Sequence, residues 1–451
     1  MRHSAGPAHG PIGCRAAGIG LGSACEQMAS VTASKPMWVA GAALLLLAGL
    51  LLNFSTIYNG GVDFPSLYVM GRGVLTGENI YAPEVAATFP ERYGVDVPMG
   101  MFYPPATGFT MLPFAALPYQ AGKLLWFFVM EAVLILGIRR LVKVLSPRSG
   151  EHVWLLLAAI VTLSAAVRWG MILLQGAPFI VGLLCWFVAA QESNRPRSAA
   201  ALAVLAVAMK MTLSLPFLGL LLLRRRLMAA MLAGGTWMLL NILGFWRMGP
   251  QSLPDYRVSV AGLEAFGNIN SPDPWNVRTS PRLDWTALFY GVSGNIALSR
   301  LATLAAAALV SLWLLREGWR VRAPFDVRST ALFLPPLVCL GSLCVYHHHY
   351  DLSPFFVPVL LWLLVLRPSA QPRWGVWLSL PLLVMMLLLP FGKAQDVAGA
   401  LLGEPGIGLL KLSFPIALTL SLCGSLLVLW RGLREAQPAG DAALMGAGVP
   451  H

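Results

Sequence analysis

Apolar runs of membrane-spanning length recur along this chain from residue 37 to residue 430. A span needs roughly 20 predominantly apolar residues. In lipid the backbone must satisfy its own polar groups, which leaves helices or closed barrels. The runs are too long and continuous for the alternating strands of a barrel. The sequence therefore predicts an all-α, polytopic membrane protein. Its 57% hydrophobic and 12% charged content agrees, since soluble domains carry about a quarter charged residues.

Twelve candidate segments fall near 37–54, 122–138, 153–167, 177–190, 198–209, 213–223, 228–246, 286–314, 330–346, 353–366, 374–391 and 407–430. With boundary uncertainty this predicts a bundle of roughly 10–13 transmembrane helices with large outer loops. The stretch 104–118 is apolar but holds Pro104, Pro105, Pro113 and Pro118. It reads as a broken, surface-lying or re-entrant piece rather than a clean span. Residues 1–36 and 431–451 are rich in small residues without periodicity and read as disordered tails around one membrane domain, 37–430.

The net charge of +12 is explained by topology, not by nucleic acid. Alternating the loop sides puts Arg139, Arg140, Lys143, Arg195, Arg197, Arg224, Arg225 and Arg226 on one face. Arg316, Arg320, Arg322, Arg328, Arg367, Arg373, Arg431 and Arg434 follow on the same face. The positive-inside rule makes that face cytoplasmic. The opposite, outer face then holds the long loops 55–121, 247–285 and 392–406. It also holds the short turns Arg168–Gln175, Lys210–Thr212 and His347–Asp351. Loops longer than about 15 residues in a compact protein are functional or disordered, and these are rich in Trp, Tyr, Pro and charge.

Chemistry-bearing residues gather on that outer face. Asp63 follows the first span; burial at an interface raises a carboxyl pKa, which suits a general base taking a proton from a hydroxyl. The alternative is a cap on the next helix, with Pro65 at an early position. Arg72 pairs with a phosphate or with Asp63, or else snorkels to water as an interfacial anchor. Tyr103, in Phe102-Tyr103-Pro104-Pro105, either lines a substrate or sets a bend. Lys210, between two apolar runs, is a point-charge phosphate ligand or an interfacial helix end. Arg168 offers bidentate phosphate geometry. Gln175 binds a sugar or caps a helix. The loop 267–285 reads as carbohydrate-facing or as turn chemistry. His347, His348 and His349 have poor metal spacing and suit hydrogen bonding to a phosphate or interfacial packing. Glu131 is an intramembrane carboxylate expected to face another helix. No Cys pair has metal or redox spacing.

No phosphate-binding P-loop, dinucleotide fingerprint or serine elbow is present. Chemistry on the outer face also lacks a supply of nucleotide sugars, which favours a lipid-linked donor. The rival reading is a transporter or flippase of a lipid-linked sugar, though no internal repeat of the kind common in transporters is evident.

The opening series Asp63-Phe64, Tyr68, Arg72, Gly77, Tyr81-Ala82-Pro83, Phe102-Tyr103-Pro104-Pro105 and Leu117-Pro118 resembles one known group. It is the polyprenol-phosphate-mannose-dependent alpha-mannosyltransferases, multi-spanning glycosyltransferases of the GT-C class. The Gln175 turn, Lys210 with Pro216 and the His-rich turn are also similar, and the likeness covers 37–430. The family pattern Gln-x-Asn departs here, where Gln175-Gly176-Ala177 stands. The resemblance implies a hexosyltransferase of the cell membrane; the arginine count places its active site on the outer face, no cofactor is expected, and no metal is indicated because only isolated carboxylates line the outer loops. It implies Asp63 as the base. It implies a polyprenyl-phosphate-mannose donor held by Lys210, Arg168, Arg72 and the His347–His349 turn, and a lipid or glycan acceptor. Direct displacement from a β-linked donor would give an α product.

Overall fold

The computed structural model describes residues 35–57, 60–94, 101–263, 270–276, 281–321, 325–345, 347–366 and 391–435. Among them the chain is helical, with one isolated β-bridge between Arg282 and His348. This is an all-α polytopic membrane protein. Six helices are long and apolar enough to cross a membrane. They are α1 (Lys35–Ser55), α4 (Tyr119–Leu145), α10 (Leu227–Met248), α13 (Ile296–Arg320), α14 (Val327–Cys344) and α16 (Phe391–Glu435). A seventh span results if α5 (Glu151–Leu163) and α6 (Ala165–Leu173), bent by 63°, are counted as one.

Several other expected segments are real helices but too short to cross alone. These are α7 (Ala177–Glu192), α8 (Pro196–Met209) and α9 (Met211–Leu223). At 1.5 Å per residue they reach only about 20–24 Å, against a bilayer core of about 30 Å. The sequence of α7 reads as a span because the helix is buried on nearly every face. A helix apolar all round occupies a protein interior as readily as lipid. By contrast α10 and α13 expose Met231, Leu239, Ile242, Leu301, Leu304 and Leu309, the surface expected to meet acyl chains.

The interior is held by close backbone approach. A Cβ on Gly182 of α7 would lie 2.5 Å from Val133 O of α4, and one on Gly137 of α4 would lie 2.5 Å from Gly182 O. Small residues at such crossings let helices pack where no hydrophobic drive separates protein from lipid. Glu131 of α4 does face another helix: Asn53 Nδ2 of α1 donates to its Oε1 at 2.8 Å.

The first long outer segment is folded into the bundle. It contains α2 (Phe64–Thr76), short turns at Pro83–Ala86 and Phe89–Tyr93, and α3 (Pro105–Ala115). The stretch 104–118 is thus not surface-lying: Pro105, Ala106, Thr107, Gly108, Met111 and Phe114 of α3 are buried. Its 11 residues span about 16 Å, so it does not cross the membrane.

Other expectations need correction. The segment 286–314 is two helices, α12 (Trp285–Ser293) and α13, parted at Gly294 in the left-handed region with φ 64°. Residues 392–406, expected as a loop, are helical within α16, which is broken at Gly403 (φ 67°). Arg168 lies inside α6, not in a turn. The remaining helices are α11 (Ser252–Leu263) and α15 (Phe356–Leu361), the latter preceded by a 3₁₀ turn, His349–Phe355. Helix α1 already begins at Lys35 and α16 runs to Glu435; the rest of the two expected tails, and the segment 374–390, lie outside the described residues.

Candidate active site

Asp63 is delivered by a loop clipped to the end of α6. The last carbonyls of any helix lack intrahelical partners. Here Ile172 O accepts from Gly61 N–H at 2.6 Å and Leu173 O from Asp63 N–H at 3.2 Å. Gly61 adopts φ 94°, and a Cβ there would meet Lys123 Cε at 2.9 Å. That space lets Lys123 Nζ donate to Gly60 O at 2.9 Å. Leu174 ends α6 in the left-handed conformation, and its carbonyl accepts from Trp126 Nε1 at 2.9 Å. Gln175 follows directly, so the clip that fixes Asp63 also fixes Gln175.

Lys210 stands at a break. It closes α8 and opens α9 with φ −154° and ψ 88°. The break leaves Met209 O without a helical donor, and Thr107 Oγ1 of α3 supplies one at 3.2 Å. Lys210 O accepts from Ser214 Oγ at 2.8 Å. Its ammonium donates to Gln175 Oε1 at 2.7 Å and to Asp351 Oδ1 at 2.6 Å.

Asp351 belongs to the 3₁₀ turn. Its other oxygen lies 3.1 Å from His347 Nδ1 and accepts from His348 N–H at 3.3 Å. His347 is fully buried, and its Nε2 has no hydrogen-bond partner among the described residues. Burial acts to raise the Asp351 carboxyl, but the Lys210 charge and the His347 hydrogen bond outweigh it and hold it below the usual carboxylate range. Burial is the largest single influence, and only the lysine charge and the hydrogen bonds acting together overcome it.

Asp63 shows the reverse balance. Desolvation dominates and pushes its pKa up to about 6, while Lys210 and a hydrogen bond with Gln175 pull it down and Asp351 pushes it further up. Asp63 is only 8% exposed, and it makes no side-chain cap on α2. The capping alternative is therefore set aside. The two carboxyls are thus shifted in opposite directions, Asp351 down beside Lys210 and Asp63 up by burial.

His348 serves the surrounding frame. Its ring nitrogens lie 3.2 Å from Pro281 O and 3.1 Å from Asn270 Oδ1. Leu283 N–H donates to His347 O at 3.0 Å. Arg282 forks onto Asp284 at 2.8 and 2.9 Å and reaches Asn270 O at 3.1 Å. The described part of the 267–285 loop is thus pinned to the His turn by buried polar contacts.

The structure brings together Asp63, Gln175, Lys210 and His347, residues spread across the sequence. It adds Asp351, a residue of the His turn that sequence reasoning did not place in the site. Its pairing with Lys210 crosses 141 positions and has no local signal beyond an acid beside histidines. Arg72 is not in the cluster: nine residues along α2, about 13 Å from Asp63, it donates to Ala115 O at 3.3 Å and lies 5.2 Å from the Tyr93 ring centroid. Those contacts close the end of α3. Arg168 makes no side-chain hydrogen bond or ion pair to the cluster among the described residues, and its Nε is buried without a partner. Tyr103 is buried, with its ring 4.7 Å from that of Phe102 and its carbonyl accepting from Tyr81 hydroxyl at 2.7 Å. His349 lies in the turn; its side chain falls outside the described residues. Among the described residues no three His, Cys, Asp or Glu side chains converge to hold a metal.

Lys210 at its helix break, Asp351 and Asp63 form a buried polar cluster within the membrane bundle. The model of glycosyltransferase family 87 matches residues 102–342, more than half of the chain, and the protein belongs to that family. The matched region holds Tyr103, Arg168, Gln175 and Lys210; Asp63 and Asp351 lie to either side of it. No curated protein matches the chain. Family membership makes this a membrane glycosyltransferase and sets aside the transporter reading.

Proposed function

We propose that this glycosyltransferase moves a hexose, mannose, from a polyprenyl-phosphate donor to a lipid or glycan acceptor on the outer face of the cell membrane, with inversion at the anomeric carbon. This is the GT-C chemistry that the sequence resemblance implies. The acceptor hydroxyl gives its proton to a carboxylate oxygen of Asp63 as its oxygen attacks the anomeric carbon. The bond from that carbon to the donor phosphate breaks, and its electron pair leaves with the polyprenyl phosphate. The phosphate gains a negative charge in this step. Lys210, positioned by Gln175 and Asp351, is the cation that meets it. A fixed charge placed where charge develops is the largest electrostatic aid to such a step.

One observation carries this reading: a buried carboxyl with its pKa raised to about 6, in the field of a lysine held by a second, ionised carboxyl. At pH 7 about nine-tenths of Asp63 is ionised, yet its pKa stays close enough to the working pH to accept a proton. His347 holds Asp351, and Arg168 is the remaining candidate for a second phosphate contact through its unpartnered Nε.

The test supplies purified protein in lipid with polyprenyl-phosphate-[¹⁴C]mannose and a membrane glycan extract. One α-linked labelled product is expected. Labelling from a nucleotide sugar alone, or from polyprenyl-phosphate-glucose in preference to mannose, would overturn the donor assignment.

A further inference from the structure

The end of the bundle remote from Asp63 carries a second built feature. A cavity of about 710 Å³ lies between the far ends of α4, α7 and α8. Its lining includes Arg139, Arg140 and Lys143 from α4, Arg195 before α8, and the apolar Leu136 and Trp186. All three helices begin or end at the catalytic cluster: Lys123 on α4 reaches Gly60, Gln175 precedes α7, and Lys210 follows α8. From Lys123 to Arg139, and from Lys210 back to Arg195, the helices run about 22–24 Å. The cavity therefore opens on the opposite membrane face, the one that the arginine count reads as cytoplasmic.

Cations near the ends of spans set topology, but these four also line one cavity. Lys143 pairs with Glu151 at 3.2 Å. Arg140 and Arg195 have no ion-pair partner among the described residues. Arg139 lies 5.3 Å from the Trp154 ring centroid, and its Nε is buried without an acceptor. A buried donor of that kind calls for an acceptor. Beside the cations, Leu136 is 45% and Trp186 38% exposed, surface that only acyl chains would cover in a membrane.

We infer that this cavity binds the headgroup of an anionic phospholipid from the leaflet opposite the catalytic cluster. Guanidinium groups match phosphate oxygens in pairs, and basic pockets between transmembrane helices bind anionic headgroups. The adjoining apolar wall takes the upper acyl chain. A free phosphate would satisfy the arginines but leave Leu136 and Trp186 uncovered, which favours the lipid. This site is independent of the donor chemistry proposed above.

Native mass spectrometry of the full chain in detergent tests it, titrating dioleoyl-phosphatidylglycerol, dioleoyl-phosphatidylcholine and inorganic phosphate separately. Phosphatidylglycerol should bind at about tenfold lower concentration than phosphatidylcholine. The variant R140A/R195A should lose that preference, and R316A/R320A, exposed arginines elsewhere on the same face, should keep it. Should the pair variant fail to fold, R195Q alone is expected to reduce the preference at least threefold. Equal binding of the two lipids would overturn the assignment. So would survival of the preference in folded R140A/R195A or in R195Q, or its loss in R316A/R320A. Inorganic phosphate displacing phosphatidylglycerol at comparable concentration would mark an anion site without lipid selectivity and would overturn it too.

Discussion

Lys210 Nζ lies 2.6 Å from Asp351 Oδ1, joining the break between α8 and α9 to the His turn 141 residues later. Both side chains are largely buried, 12% and 4% exposed. Removing one member of a buried pair leaves the other charge unanswered, at a cost of about 3–5 kcal/mol. Lys210→Met is therefore expected to lower the melting temperature sharply in lipid nanodiscs. Adding Asp351→Asn should recover part of that stability but no transfer, because the neutral pair lacks the cation that the proposed mechanism sets against the phosphate. Recovery of transfer in the double variant would reduce Lys210 to a structural role.

Asp63 links activity to pH. Its folded pKa of about 6 lies above the ordinary 3.8, and the base must be ionised to work. We expect kcat/KM to fall tenfold per pH unit below about 6, with no such limb at pH 7–8. The stability effect has the opposite sense. Between 3.8 and about 6 the folded state holds a proton that the unfolded state has lost, so folding weakens as pH rises through that window. Asp63→Asn lacks this loss. Its melting temperature should match wild type near pH 4 and exceed it above pH 6, by no more than about 3 kcal/mol equivalent. A difference that is greatest at pH 4 would contradict the burial argument.

Arg72 provides a contrast. Its contacts are with Ala115 O and the Tyr93 ring, each worth about 1 kcal/mol or less at a partly exposed site. Arg72→Ala should lower the melting temperature by a few degrees and leave kcat and the donor KM within about twofold. A tenfold rise in donor KM would return Arg72 to the phosphate site.

Much of the architecture and part of the site are legible in the sequence. Asp63, Gln175 and Lys210 stand out because each is polar beside apolar neighbours, His347 because it opens a run of three histidines, and counting arginines assigns them to one face. What the sequence hides is pairing. The Lys210–Asp351 contact joins two ordinary turns, and nothing local distinguishes Asp351 from a turn-forming acid. Arg72 and Arg168 look alike as cations beside apolar runs; only packing shows that Arg72 closes the end of α3 instead of joining the cluster. The short α7 passes for a span because burial on nearly every face leaves it apolar all round, as a lipid-facing helix would be.

The Gly137–Gly182 approach offers a test of the frame. Gly182→Leu would drive a side chain into Val133 O, where even a Cβ lies 2.5 Å away. Overpacking of this kind costs about 1–3 kcal/mol or more, and separating α4 from α7 would shift both Lys123 and Gln175. Loss of stability together with loss of transfer is expected. Wild-type melting behaviour would mean that the two helices are not so closely seated.

The role of Asp63 is tested most directly by single-turnover transfer from labelled polyprenyl-phosphate-mannose in Asp63→Asn, with donor binding measured on the same preparation. Donor affinity should stay within about threefold, while the transfer rate falls by about 10²–10⁴, the range for a lost general base. Transfer by Asp63→Asn within tenfold of wild type, with the acid limb near pH 6 intact, would contradict the account.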